Sequence, residues 1–123
     1  MNVVDSSGWL EYIAGGKNAD FFAPPIEDLP NLIVPTLCLF EVFKRILQQR
    51  NEDDALRVIA TMHQGRVVDL DSPIALRAAQ LSVAQKLPMA DSVILATTLS
   101  LDAVLWTQDS DFKSIDGVRY TEK

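Results

Sequence analysis

The sequence predicts an α/β domain in which a parallel sheet carries helices on both faces. Three observations lead there. Short apolar runs rich in β-branched residues recur along the chain, and segments with helical signals separate them. At 123 residues the chain has room for one domain with one core. Strands separated by helices pair in parallel, because each helical crossover returns the chain to the same end of the sheet.

The elements follow in order. Val3-Val4 reads as a short buried strand that ends at Asp5. Trp9 to Ile13 reads as helix, stopped by Gly15-Gly16, and Asn18 to Leu29 as a second helix interrupted by Pro24-Pro25. Leu32-Ile33-Val34, bounded by Pro30 and Pro35, is a strand. Thr36 is placed to cap a helix reaching Gln49, with Phe40, Phe43, Ile46 and Leu47 as its apolar stripe. Glu52 to Gln64 is a helix ended by Gly65, and Val67-Val68 with Leu70 a strand. Asp71-Ser72-Pro73 combines a capping side chain with an early proline, the start of a helix running to about Lys86. Pro88 to Leu101 is the last helix. Ala103 to Trp106 and Val118 to Tyr120 are the last strands, the second after an Asp116-Gly117 turn.

Composition narrows the function classes. The hydrophobic fraction of 48% supports a packed core and excludes a disordered chain. The single cysteine, Cys38, lies among apolar neighbours and reads as a buried thiol in a reducing compartment. No basic segment followed by an apolar run opens the sequence, and no stretch approaches a membrane span, so the expected location is the cytoplasm. The net charge of −6 weighs against passive nucleic-acid binding, which draws on Lys and Arg. An acidic chain can still act on nucleic acid where divalent cations offset its charge, or where another chain lends basic residues.

Ligands of open parallel sheets bind beyond the carboxyl ends of the strands. Asp5 follows the first strand directly, and Asp109 stands three residues past Trp106. Glu41 falls in the second turn of the helix after the second strand, and Asp91 near the start of the helix leading into the fourth. Asp91 is the only charged residue from Leu87 through Leu101, and the apolar residues around it cover most of the helix. A lone carboxylate on a buried helix needs a partner. Clustered carboxylates repel, and a divalent cation removes the conflict. The all-oxygen donor set suits Mg²⁺ or Mn²⁺ rather than zinc. Such a centre can drive phosphodiester hydrolysis without a side-chain nucleophile.

Each acid also has an ordinary reading. Asp5 fits a turn or an N-cap before Ser6-Ser7-Gly8; Glu41 fits an exposed pair with Lys44 or Arg45; Asp91 fits a cap or the helix dipole; Asp109 and Asp111 fit turn positions. His63, the only histidine, reads as surface, and Trp9 and Trp106 as core. No glycine-rich phosphate loop or nucleophile elbow is present. A receiver domain would need paired acids after the first strand, and a haloacid-dehalogenase phosphatase would need Asp-x-Asp there. The chain has Asp5-Ser6-Ser7.

Four segments together resemble the successive motifs of PIN-domain ribonucleases: Val4 to Trp9, Leu39 to Val42, Met89 to Ala96 and Leu105 to Phe112. More narrowly, they resemble the VapC-type toxins of toxin–antitoxin pairs. The resemblance spans residues 1–123 in order. It implies a single PIN-like domain with a roughly five-stranded parallel sheet flanked by helices on both faces, and Mg²⁺- or Mn²⁺-dependent cleavage of RNA. It implies that Asp5, Glu41, Asp91 and Asp109 are the catalytic and metal-binding quartet, with Asp5, Glu41 and Asp91 on the metal and Asp109 completing the site or orienting water. Ser6 and Thr107 match the family's supporting polar positions, and Asp111 a position acidic in many members. Lys17, Lys44, Arg45 and Lys113 are candidate contacts to flanking phosphates, with unpaired RNA the expected substrate. The implied partners are a cognate VapB-type antitoxin and a second copy of the chain in a homodimer, with no membrane. The alternative is a catalytically inactive PIN-like domain used as a binding module.

Overall fold

A computed structural model describes residues Met1–Lys123. It contains five strands, β1 (Asn2–Val4), β2 (Leu32–Pro35), β3 (Arg66–Val68), β4 (Val104–Thr107) and β5 (Val118–Tyr120). Six α-helices join them: α1 (Ser6–Ala14), α2 (Ala19–Glu27), α3 (Thr36–Gln49), α4 (Glu52–Met62), α5 (Ser72–Gln85) and α6 (Met89–Ser100). The strands form one sheet in the order β3-β2-β1-β4-β5, parallel throughout. The predicted α/β class and parallel pairing are therefore observed. No helix is long and apolar enough to cross a membrane.

The strand order positions the site. The chain starts at the centre of the sheet, builds outward through β2 to β3, then returns to lay β4 on the other side of β1. The order reverses between β1 and β4, and a crevice opens at such a point beyond the carboxyl ends of the two strands. Asp5 lies one residue past β1, and its N–H extends the ladder by donating to the Trp106 carbonyl at 3.1 Å.

Val3 and Val4 point to opposite faces of the sheet and both are fully buried, so both faces are covered. All four residues of β2 are buried as well, as continuous apolar runs in parallel sheets require. The edge strands β3 and β5 are only partly covered. The main core gathers Trp9, Phe22, Leu32, Ile33, Met62, Ile94, Leu105 and Phe112 around the central strands. A smaller cluster of Ile74, Ala78, Val93 and Ala96 joins α5 to α6.

Several local expectations are corrected. Helix α1 begins at Ser6, three residues before Trp9, because the Asp5 carboxylate caps it by accepting the Gly8 N–H at 3.0 Å. Gly15 ends it in the left-handed conformation. Helix α2 runs through Pro24 and Pro25 without interruption. Both prolines fall in its last turns, and burial of Phe22, Pro25 and Ile26 on one face offsets the bonds that two missing N–H groups forgo. Thr36 is the first helical residue of α3, not its cap, because β2 passes directly into the helix at Pro35. The buried stripe of α3 is Cys38, Val42 and Ile46, whereas Phe40 and Leu47 are exposed; Phe40 is two residues, or about 200°, from Cys38 around the helix. Leu70 lies outside β3 and is exposed.

Candidate active site

Asp5, Ser6, Glu41, Asp91 and Asp109 line one cleft of about 390 Å³ at the switch point, with Phe40, Lys44 and Arg45 on its α3 wall. Asp5 forms its floor and is 3% exposed. Its carboxylate accepts the Gly8 N–H, the Ser7 hydroxyl at 2.9 Å and the Thr107 hydroxyl at 2.7 Å. Burial pushes its pKa from 3.8 up to about 6; the three hydrogen bonds oppose that rise, and the charge of Asp109 adds to it. The N-cap reading and the site reading of Asp5 thus coexist, since capping α1 aims the carboxylate at the crevice.

Thr107 ends β4 and is fully buried. Its hydroxyl donates to Asp5 and accepts the Asp109 N–H at 2.9 Å, so one side chain fixes two acids that are far apart in sequence. Asp109 in turn accepts the Asp111 N–H at 2.9 Å, capping the short 3₁₀ turn Ser110–Phe112. That turn brings Asp111 back toward the crevice.

Asp91 occupies the first turn of α6, whose cap position is Pro88 and offers no side-chain acceptor. The next seven residues, Ser92 to Thr98, are all buried. A helix dipole favours a carboxylate in this turn, yet the pKa of Asp91 is raised from 3.8 to about 8. Partial burial is the largest cause, followed by a hydrogen bond with Asp111 and the charges of Asp109, Asp111 and Asp5. One oxygen from each of Asp91, Asp109 and Asp111 lies within 4.8 Å of the others. Ligand oxygens about 2.1 Å from one Mg²⁺ are at most about 4.2 Å apart, so small side-chain adjustments let all three reach a single ion. The donor set and the raised pKa of Asp91 both fit a hard divalent cation.

Glu41 is held differently. Its Oε1 accepts the Ser6 hydroxyl at 2.6 Å, and it forms no ion pair with Lys44 or Arg45. It shares the cleft with the other acids but stands outside the tight trio. Of the candidate phosphate contacts, Lys44 and Arg45 reach the cleft, Lys113 pairs with Glu122 at 3.5 Å, and Lys17 lines no part of it. Cys38 is buried behind the site, donates weakly to the Val4 carbonyl at 3.8 Å, and has its pKa raised by burial. His63 is exposed.

Sequence reasoning missed two supports. The Ser7 hydroxyl bonds Asp5, and its signal was available in a serine two residues after a capping aspartate. Gln108 is buried, donates to the Ser7 carbonyl at 3.3 Å and accepts from Asn18 at 2.9 Å; its partners lie about a hundred residues away, and no local pattern marks them.

A sheet of this order with acids at its switch point defines a class, and comparison with known proteins identifies it. The model of the PIN domain matches residues 3–118, and the chain belongs to that family. Among solved structures, a toxin–antitoxin complex from Klebsiella pneumoniae contains a similar chain at 22% identity and TM-score 0.82, covering 96% of this chain and 95% of that one. VapC20 of Mycobacterium tuberculosis, a toxin that cleaves the sarcin–ricin loop, is similar at 16% identity and TM-score 0.79, covering 97% and 98%. VapBC2 of Rickettsia felis, bound to a DNA fragment from its promoter, is similar at 13% identity and TM-score 0.76, covering 98% and 97%. No curated protein sequence gives a match.

Proposed function

We propose that the chain is a metal-dependent endoribonuclease, the VapC-type toxin of a toxin–antitoxin pair. The observation that carries this reading is the convergence of Asp91, Asp109 and Asp111 within 4.8 Å, beside Asp5 and Glu41, at the crevice between β1 and β4. Membership in the PIN family and the likeness to toxins of toxin–antitoxin complexes support it.

In this reading Asp91 and Asp109 hold Mg²⁺ or Mn²⁺, and Asp111, which the sequence resemblance left in a supporting place, joins them as a ligand. When bound, the cation supplies Lewis-acid stabilisation of the phosphoryl charge and acidifies water. Asp5, fixed by Thr107, Ser7 and Gly8, presents a rigid carboxylate on the crevice floor that would add negative charge to the site holding the cation. Glu41, held by Ser6 on the α3 wall, is placed to accept a proton from the attacking water. Lys44 and Arg45 face the backbone of the RNA, and the exposed Phe40 offers a ring on which an unpaired base can stack. A VapB-type antitoxin would block this cleft, and the cytoplasm is where toxin, antitoxin and RNA meet. The toxin would work as a homodimer within this account.

The test is cleavage of unstructured RNA by the purified chain with Mn²⁺, with Mg²⁺ and with chelator, beside Asp91→Asn. Cleavage that needs a cation and is lost in the variant is expected. Metal-independent cleavage, or full activity in Asp91→Asn, would overturn the proposal. A folded wild-type protein that neither binds Mn²⁺ nor cuts RNA would favour the binding-module alternative.

A further inference from the structure

A second cleft, about 540 Å³ in volume, adjoins the acidic one between α1, α3 and the start of α4. Ser7, Leu10 and Arg45 line both, so the two clefts meet along these residues. Its charge is inverted relative to the acidic cleft. Arg45, Arg50, Arg57 and Lys123 line it against two acids, Glu11 and Asp54. Both acids are engaged: Asp54 with the Arg57 guanidinium at 3.3 Å, Glu11 with the Asn18 N–H at 3.0 Å. Arg45 and Arg50 have no acidic partner.

This concentration is not a by-product of composition. The chain has 11 basic residues against 17 acidic ones, and four of the 11 line this one groove. Leu10, Ile13 and Ile46 give the groove an apolar floor, while Gln49 and Gln108 add hydrogen-bonding amides. Cations above an apolar floor suit a single nucleic-acid strand, with phosphates on guanidiniums and base faces on aliphatic side chains. A duplex could not bring its bases to such a floor.

We propose that this groove is the strand-guiding subsite of the nuclease: it holds the single-stranded RNA flank on one side of the scissile phosphate, with Arg50 and Arg57, which line this groove and not the acidic cleft, as phosphate contacts. The proposal rests on the nuclease reading for its direction of use, and on charge and adjacency for its ligand. It makes substrate length a determinant of KM, since a short oligonucleotide confined to the acidic cleft gains nothing from the groove.

The test compares wild type, Arg50→Ala and the double variant Arg50→Glu/Arg57→Glu. Three readouts are needed: anisotropy of a fluorescent unstructured RNA without metal, Mn²⁺ titration, and cleavage kinetics on long and short RNA. Weaker RNA binding is expected, with KM for long RNA raised about tenfold in the double variant and a shallower salt dependence of about 0.7 per lost phosphate contact. Mn²⁺ binding, kcat and the kinetics on short RNA should stay at wild-type values. Wild-type RNA affinity and KM in both variants would overturn the proposal, as would variants that keep RNA binding but lose a protein partner. If wild type binds RNA through the groove yet cuts none, the nuclease reading fails and the groove assignment stands.

Discussion

Two neighbouring clefts share three lining residues and carry opposite charge. The acidic cleft is built of groups fixed by hydrogen bonds: the Asp5 carboxylate accepts from Ser7, Gly8 and Thr107, the Glu41 carboxylate accepts from Ser6, and the Asp109 N–H donates to the Thr107 hydroxyl. The basic groove is built of exposed arginines, of which Arg57 alone is in an ion pair. In the proposed reading the difference separates two tasks. Chemistry on a phosphate needs carboxylates held at set positions, and the fold accepts their repulsion until a cation arrives. Holding a flexible strand needs positive charge with little geometric demand, and exposed arginines suffice. The net charge of −6 concealed this division, because it sums two regions of opposite sign.

The largest effect expected is on the acidic side. Asp91→Asn should lower cleavage by more than the roughly 10–100-fold that losing an outer support costs, because in the proposed reading it removes a metal ligand. Asp111→Asn should come next and tests whether the turn Ser110–Phe112 supplies a third ligand; steady-state kinetics at saturating Mn²⁺ would decide, and wild-type activity would return Asp111 to a turn-forming role. Thr107→Val removes a hydroxyl that links Asp5 to Asp109, so a loss of about 10–100-fold in activity is expected with a modest change in denaturation midpoint. A large stability loss would instead make Thr107 a core residue.

Gly8→Ala separates architecture from chemistry. A Cβ at Gly8 would stand 2.6 Å from the Phe22 ring and 2.7 Å from Val4, where α1 closes on α2 and β1. Overpacking there should cost about 1–3 kcal/mol in urea denaturation. Because the Gly8 N–H also bonds Asp5, any displacement should carry through to activity.

The last effect concerns pH. The folded protein raises the pKa of Asp5 from 3.8 to about 6 and that of Asp91 from 3.8 to about 8. The folded state therefore binds more protons than the unfolded one between those values, and the stability contributed by these two groups falls as pH rises from about 4 to about 8. Melting of the metal-free protein should show that slope, and saturating Mn²⁺ should flatten it. A metal-free protein that gains stability through this interval in wild type, but not in Asp91→Asn, would reverse the sign.

Much of the fold was legible because parallel strands buried on both faces read as plain apolar runs, and β5 was placed to the residue. Asp91 was conspicuous as the one charge in a helix whose next seven residues are buried. The site's inner connections were not legible. Thr107 meets Asp5 across 102 positions and Gln108 meets Asn18 across 90, and only the strand order β2-β1-β4 brings such segments together. Asp111 reads as a turn residue because it is one; its proximity to Asp91 depends on how tightly that turn folds. Phe40 was assigned to the core because it shares a helical stripe with Phe43 and Leu47, whereas the buried face of α3 carries Cys38, Val42 and Ile46.

The central claim is that these carboxylates form one cation site, and calorimetric titration of Mn²⁺ into the metal-free protein tests it most directly. The account predicts saturable binding that Asp91→Asn abolishes or weakens severely while the variant stays folded by circular dichroism. No binding by the folded wild type, or binding unchanged in Asp91→Asn, would contradict it.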